Sequence, residues 1–211
     1  MELLHGDCID KMQGISDNSI PLIICDPPYN TTPLHWDKLL NFQKLWNEFK
    51  RIRTQDGVVL IFGQEPFSSQ VRMSNLKEYR YDWYWEKERL TNVFQVKRRP
   101  GKVIETISVF FNKPNRYFPQ YTEHTGKKVT NKIGKNARWP ITMGGENPNT
   151  KPLEYVDDGT RHPLQILRYN RDDPRKAIHP TQKPVKLLEF LINTYTKENE
   201  TVLDCLCKTL P

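Results

Sequence analysis

The chain has 211 residues, a formal net charge of +7 and a pI of about 9.2, enough length to bury roughly 70% of its unfolded surface and a balance that favours a polyanionic partner. Its four cysteines (Cys8, Cys25, Cys205, Cys207) stand far apart or one residue apart, which argues against a disulfide framework or a zinc site, and no metal is expected. Met1–Gly6 does not read as a signal peptide and no apolar run approaches the ~20 residues of a membrane span, so a reducing cytoplasm is the expected compartment.

In chain order, Leu3-Leu4-His5 predicts a short strand and Ile9 to Ile15 a brief helix. Asp17-Asn18-Ser19 then turns into the apolar run Ile20-Pro21-Leu22-Ile23-Ile24, a buried strand ending at Asp26. Phe42, Leu45, Trp46, Phe49 and Ile52 recur at helical spacing between Asn41 and Arg53. Gly57 to Gly63 is an apolar run between glycines and reads as a central strand. A helix is predicted within Gln64 to Leu76, a strand over Tyr79 to Lys87 and another over Thr106 to Phe111. Strands alternating with helices imply an α/β sheet covered on both faces.

Periodicity fades from 115 to 176, where Gly, Pro, Asn and charge dominate, and this segment is predicted to be a loop-rich basic insertion between core segments 1–114 and 177–211. Eleven basic residues lie between Lys97 and Arg138: Lys97, Arg98, Arg99, Lys102, Lys113, Arg116, Lys127, Lys128, Lys132, Lys135 and Arg138. Only Glu105 and Glu123 oppose them, and Tyr117, Phe118, Tyr121 and Trp139 are interleaved. A solvated lysine-rich loop is the plain alternative; the density favours phosphate contact. Order returns at His179-Pro180-Thr181-Gln182-Lys183-Pro184. Pro184 suits the first turn of a helix whose apolar face carries Leu187, Leu188, Leu191, Ile192 and Tyr195, and Thr201-Val202-Leu203-Asp204 reads as one more strand.

The stretch Cys25-Asp26-Pro27-Pro28-Tyr29-Asn30 is the chemical centre of this pattern. The prolines fix the backbone and remove its N–H groups, leaving carbonyls and the Asp26 carboxylate as acceptors beside the flat face of Tyr29. That set suits a planar group carrying an NH2, such as a nucleobase; a proline turn after a strand is the bland alternative. Asp26-Pro27-Pro28-Tyr29 resembles the Asp/Asn/Ser-Pro-Pro-Tyr motif of the S-adenosylmethionine-dependent amino methyltransferases of DNA. Gly6-Asp7-Cys8, the Gly57–Gly63 strand, Glu105-Thr106 and His179 to Pro184 follow the order of the β group of that family.

The resemblance implies a Rossmann-like methyltransferase sheet and S-adenosylmethionine as cofactor. It also implies direct methyl transfer to an exocyclic amine of a flipped base in double-stranded DNA. Asp26, Pro27, Pro28 and Tyr29 are then catalytic, with Asp26 and the Pro27 carbonyl accepting the amine hydrogens and Tyr29 stacking on the base. Asp7 and Cys8 fall near the adenine moiety, the Thr181-Gln182-Lys183 turn on the cofactor, and Asp204 near its methionine part; a helix cap is the alternative for Asp7. Lys97, Arg98, Arg99, Lys102, Arg116, Lys127, Lys128, Lys132, Lys135 and Arg138 are the candidate DNA contacts. His179 is expected to be a hydrogen-bonded turn residue and Cys25 a packed strand end.

Asp rather than Ser before Pro-Pro-Tyr favours N6 of adenine over N4 of cytosine. A catalytically impaired DNA-binding remnant, and methylation of RNA or of a protein glutamine, are the alternatives. A homodimer and a paired restriction enzyme stay open. The family continues after its Val202-Leu203-Asp204 equivalent with an aromatic and a Gly-Ser-Gly-Thr type loop, whereas this sequence reads Cys205-Leu206-Cys207-Lys208-Thr209-Leu210-Pro211. A truncation before that loop, an incomplete sheet and weak cofactor binding are therefore expected.

Overall fold

The computed structural model describes residues 2–29, 41–113, 116–123, 159–172 and 182–205. The chain divides into two compact units, one made of Met1–Pro119 with Leu164–Pro211 and the other of Gln120–Pro163.

The first unit is built on a mixed sheet. Its first strand, β1 (Ile20–Cys25), is buried along its whole length, as expected of an apolar run of this kind. Helix α2 (Phe42–Ile52) follows the predicted spacing; the Asn41 side chain caps it by accepting the Lys44 N–H at 3.1 Å, and Lys50 and Arg51 sit favourably in its last turn. Strand β2 (Arg53–Gly63) starts four residues earlier than the glycine-bounded run and is buried from Gly57 onward. Helix α3 (Phe67–Ser74), β3 (Tyr79–Glu86) and β4 (Ile104–Phe110) complete the predicted series, preceded by a short helix α1 (Cys8–Met12).

β1 and β2 run parallel, β4 is antiparallel to β2, and β3 is antiparallel to β4. Two further strands, β7 (Ile166–Arg168) and β8 (Val202–Asp204), close the order β7-β3-β4-β2-β1-β8. β8 lies parallel to β1 and β7 parallel to β3. One consequence matters for function. The C-terminal ends of β1, β2, β3 and β8 and the N-terminal end of β4 all lie along the same edge of the sheet.

Alternate residues of each strand serve opposite faces. On one face Ile23, Cys25, Val59 and Ile61 pack with α1, α2 and α3 through Met12, Leu45, Trp46, Phe49 and Phe67. On the other, Leu22, Ile24, Leu60, Phe62 and Val109 pack with α4 (Val185–Tyr195) through Leu187, Leu191 and Tyr195. Helices thus cover both faces, as the alternation of elements requires. On the α4 side, the buried Tyr195 hydroxyl accepts the Trp83 Nε1–H at 2.7 Å and shares a hydrogen bond with the Tyr81 hydroxyl at 2.8 Å. Pro184 is the N-cap of α4 rather than its first residue, and the Asp172 carboxylate accepts the Val185 N–H at 3.0 Å.

Two expectations are corrected here. Leu3-Leu4-His5 forms no strand: Leu3 and Leu4 are exposed, and Gly6, at φ 140°, bends the backbone into the cap of α1. The loop-rich segment 115–176 is not uniformly irregular, because Leu164 onward belongs to the first unit and β7 pairs with β3 there. Leu167, the one buried residue of β7, explains why no apolar run marked it. Within the second unit, β5 (Thr122–Glu123) pairs antiparallel with β6 (Thr160–Arg161), and the Tyr121 and His162 rings meet at 4.8 Å.

Candidate active site

Asp26 leaves β1 at the functional edge, and the two prolines after it turn Tyr29 back towards the sheet. The Tyr29 hydroxyl lies 2.8 Å from Asp26 Oδ1 and 2.8 Å from Glu105 Oε1, so one proton is shared between two carboxylates. The Tyr29 ring stacks on Phe67 with centroids 5.2 Å apart and an interplanar angle of 28°. That contact depends on a close approach of α3 to β2. A Cβ at Gly63 would lie 2.9 Å from Ser68 Oγ and 3.2 Å from the Phe67 ring. The Ser68 and Thr106 hydroxyls, 2.6 Å apart, fasten the same corner, and Thr106 donates to the Gly63 carbonyl at 2.9 Å.

Two lysines balance the two carboxylates. Lys183, just before α4, lies 2.8 Å from Asp26 Oδ2 and 2.9 Å from Glu105 Oε1, with its ammonium 4.9 Å from the Phe62 ring centroid. Lys87, just past β3, lies 2.5 Å from Glu105 Oε2 and 5.1 Å from the Trp85 ring. Glu105 is 3% exposed and Lys87 6%, and Gln64 Nε2 stands 3.5 Å from Glu105 Oε2. Buried charges need partners, and here each has one.

The acidities follow from this packing. Burial alone would raise the Glu105 carboxyl, but the Lys183 and Lys87 ammonium groups outweigh it and hold the group down at about 2. Burial would lower Lys183, yet the Asp26 and Glu105 carboxylates outweigh it and raise its pKa. For Lys87 burial prevails over Glu105 and the pKa falls. Burial, then Asp26 and Glu105, push the Tyr29 phenol well up, so it stays protonated as a donor.

With Asp26 Oδ1 facing Tyr29 and Oδ2 facing Lys183, the carboxylate is fixed in orientation. An ionised carboxylate has about four lone-pair sites, so it retains acceptor capacity for the hydrogens of an incoming amine. The arrangement is an oriented acceptor beside an aromatic ring at the C-terminal edge of an α/β sheet, where such folds bind ligands.

A family model described as DNA methylase, of the N6/N4 type, matches residues 20–207. The chain belongs to this family. Among its relatives, the type II methyltransferase M1.MboII of Moraxella bovis is 26% identical over 94% of this chain and 80% of its own length. M.HinfI of Haemophilus influenzae is 25% identical over 96% of this chain, and M.HpaI of Haemophilus parainfluenzae is 26% identical. This chain spans 57% and 62% of those two proteins. Among solved structures, the cytosine-N4-specific PvuII DNA methyltransferase superposes with a TM-score of 0.59 at 16% identity, covering 94% of this chain and 71% of that one. The M1.HpyAVI–SAM complex gives 0.52 at 22%, covering 95% and 80%. The sheet is thus a Rossmann-like methyltransferase sheet, and the family uses S-adenosylmethionine.

The residues around the β1–β8 edge suit that cofactor, which is cationic at sulfur. Asp204 ends β8 and is exposed, and the Cys205 N–H donates to the Ile24 carbonyl at 3.2 Å beside it. Cys8 packs against the same cluster as Cys25 and Cys205, which brings the start of α1 to this edge. Asp7 caps α1, its Oδ1 accepting the N–H groups of Ile9 at 2.9 Å and Asp10 at 3.4 Å. Carboxylates and a half-buried, apolar thiol side chain are appropriate neighbours for a sulfonium and an adenosine. Burial pushes the Cys8 thiol up to about 11 and raises Cys25 as well, which keeps both unreactive and agrees with a packed strand end at Cys25.

Of the other expected site residues, Lys183 pairs with the Asp26 and Glu105 carboxylates, and Gln182 precedes it. Lys97, Arg98 and Arg99 are exposed and Lys102 half-buried on the β3–β4 connection. Arg116 is corrected. Its guanidinium pairs with Asp56 at 2.9 Å and with Glu200, and its side chain is 14% exposed, so it is committed to the fold rather than offered to phosphate. Asn30, Lys127, Lys128, Lys132, Lys135, Arg138, His179 and Thr181 lie outside the described residues. Lys87, Gln64 and the ionic role of Glu105 were not foreseen; the signal available was an ionisable residue bordering each of two strands.

Among the described residues no group of His, Cys, Asp and Glu could hold a metal ion, and no helix is long and apolar enough to cross a membrane.

Proposed function

We propose that this chain transfers a methyl group to an exocyclic amine of a base in double-stranded DNA, N6 of adenine in preference to N4 of cytosine. The observation that carries the reading is the Asp26 carboxylate, held from one oxygen by Tyr29 and from the other by Lys183 at the edge of a methyltransferase sheet.

An exocyclic amine is a weak nucleophile because its lone pair is delocalised into the ring. Asp26 and the Pro27 carbonyl, accepting its two N–H hydrogens, favour a pyramidal nitrogen with the lone pair directed away from the ring. Asp26 then lies within reach of the proton that the amine releases on methylation. S-adenosylmethionine, when bound, would supply an electrophilic methyl on its sulfonium, and Asp7, Cys8, Gln182 and Asp204 are the residues that would hold it. Phe67 stacks on the Tyr29 ring, and the Lys183 ammonium lies over that ring 5.9 Å from its centroid. Lys183 and Lys87 keep Glu105 ionised, and Glu105 in turn fixes the Tyr29 hydroxyl. The preference for adenine rests on Asp at position 26 of the motif.

The test is labelled methyl transfer to mixed-sequence DNA, followed by digestion to nucleosides and mass measurement of the methylated base. The expected product is N6-methyladenine, abolished by Asp26→Ala. N4-methylcytosine alone would overturn the base assignment. Equal silence of wild type and Asp26→Ala, with both binding DNA, would replace the enzyme reading by that of a DNA-binding remnant.

A further inference from the structure

The connection between β3 and β4 has a construction that the reaction as described does not use. It leaves the sheet at Lys87, whose N–H donates to the Val103 carbonyl at 2.8 Å, so its root is the same lysine that pairs with Glu105. Asn92 fastens its interior twice: its Nδ2 donates to the Pro100 carbonyl at 2.9 Å, and its Oδ1 accepts the Lys102 N–H at 2.6 Å. The Thr91 N–H donates to the Lys102 carbonyl at 3.0 Å, and Leu90 packs at Gly101. At the tip, a turn of 3-10 helix (Val93–Gln95) is held by the Gln95 N–H on the Asn92 carbonyl, and the Arg99 guanidinium folds back on Gln95.

This scaffold presents Phe94 with its side chain fully exposed, flanked by Val93 at 59% and Val96 at 47% exposure. Lys97, Arg98 and Arg99 follow immediately and are exposed too. A folded protein gains nothing by ordering an aromatic ring in water, so an apolar tip on a hydrogen-bonded support points to an occupant. The adjoining row of three cations specifies a polyanion. Side chains of this kind, an apolar wedge beside phosphate-binding cations, part base steps in duplex DNA.

We propose that the 88–103 hairpin is a duplex-opening wedge, with Phe94 filling the place in the base stack that the target base vacates and Lys97, Arg98 and Arg99 holding the flanking phosphates. The inference rests on the DNA-methyltransferase reading and deepens it. The wedge grows from the edge that carries Asp26 and Glu105, so an extruded base and the gap it leaves are served from one end of the sheet. Stacking by Phe94 offsets part of the cost of unpairing.

The experiment compares binding of a labelled duplex containing one abasic site with that of the same duplex fully paired, by fluorescence anisotropy at fixed salt. An abasic site offers the wedge a gap without the cost of extruding a base, and the comparison needs no knowledge of the recognition sequence. Wild type is expected to prefer the abasic duplex by roughly tenfold, the worth of about one aromatic stack. Phe94→Ala should bring the ratio close to one and Phe94→Trp should keep it. The double variant Lys97→Glu, Arg98→Glu should weaken binding to both duplexes and leave the ratio alone. A ratio near one in wild type, or a ratio unchanged in Phe94→Ala, overturns the proposal. So does a change of oligomeric state in Phe94→Ala with the ratio intact, which would assign the tip to a second copy of the chain. A ratio near one in wild type that still transfers methyl groups refutes this inference alone; an abasic preference without methyl transfer refutes only the catalytic reading.

Discussion

Replacing Glu105 by Gln tests the ionic cluster most directly, because it removes one charge while keeping shape and one hydrogen-bonding oxygen. In the wild type Glu105 is held at about 2 against an ordinary value of 4.5. That depression corresponds to roughly 3 kcal/mol of stability at neutral pH. The sign is that of a depressed carboxylate: the contribution is complete above the unfolded value of 4.5 and is lost as pH falls towards 2. Glu105→Gln should therefore unfold in urea with a free energy about 3 kcal/mol lower than wild type near pH 7, in line with the ~3–5 kcal/mol for breaking a buried pair. Near pH 3 the difference should shrink to about 1 kcal/mol, since the wild-type group is by then partly protonated in the unfolded-state balance. A gap that stays constant between these pH values, or is absent at pH 7, would refute the assignment of Glu105 as an ionised partner of Lys87 and Lys183.

Lys183→Met removes the cation that bridges Asp26 and Glu105 while keeping the stem. Methyl transfer should fall about a hundredfold through misorientation of Asp26, and the acid loss of stability between pH 5 and 2 should flatten as Glu105 returns towards its ordinary range. Lys183 also contributes stability below its ordinary value of 10.5 that is lost as pH rises through its raised folded value, so the variant should lose that alkaline dependence. Tyr195→Phe leaves the buried Trp83 N–H without its acceptor; a cost of about 1–3 kcal/mol is expected, read as a fall of several degrees in Tm by calorimetry.

Together these groups describe a site whose acceptor is built from four elements. Asp26 comes from the end of β1, Glu105 from β4, Lys87 from beyond β3 and Lys183 from the approach to α4. Each stands next to a strand or helix boundary, where the backbone is held by the sheet and the side chain faces the open edge. The hairpin with Phe94 at its tip extends from the same boundary of β3 and β4. The ionic cluster at the edge and the root of the hairpin are therefore joined through one residue, Lys87.

Local pattern by itself determined β1 and the buried half of β2, because strands buried on both faces read as continuous apolar runs, Ile20 to Cys25 and Val58 to Phe62. It determined α2 through the spacing of Phe42 to Ile52, and it set acceptors and a ring side by side in Asp26-Pro27-Pro28-Tyr29. It misread Leu3-Leu4-His5, where two apolar residues have no partner strand among the described residues, and passed over β7, a three-residue strand with one buried side chain. Only the tertiary structure decided the charges. Arg116 belongs to a basic stretch in sequence, yet Asp56 and Glu200, distant along the chain, neutralise it in space. Lys183 stands far from Asp26 and Glu105 in sequence, and folding sets its ammonium on both carboxylates. Ion pairing falls off over a few ångströms, and which charges come that close is fixed by strand order, which the linear spacing of charges does not encode.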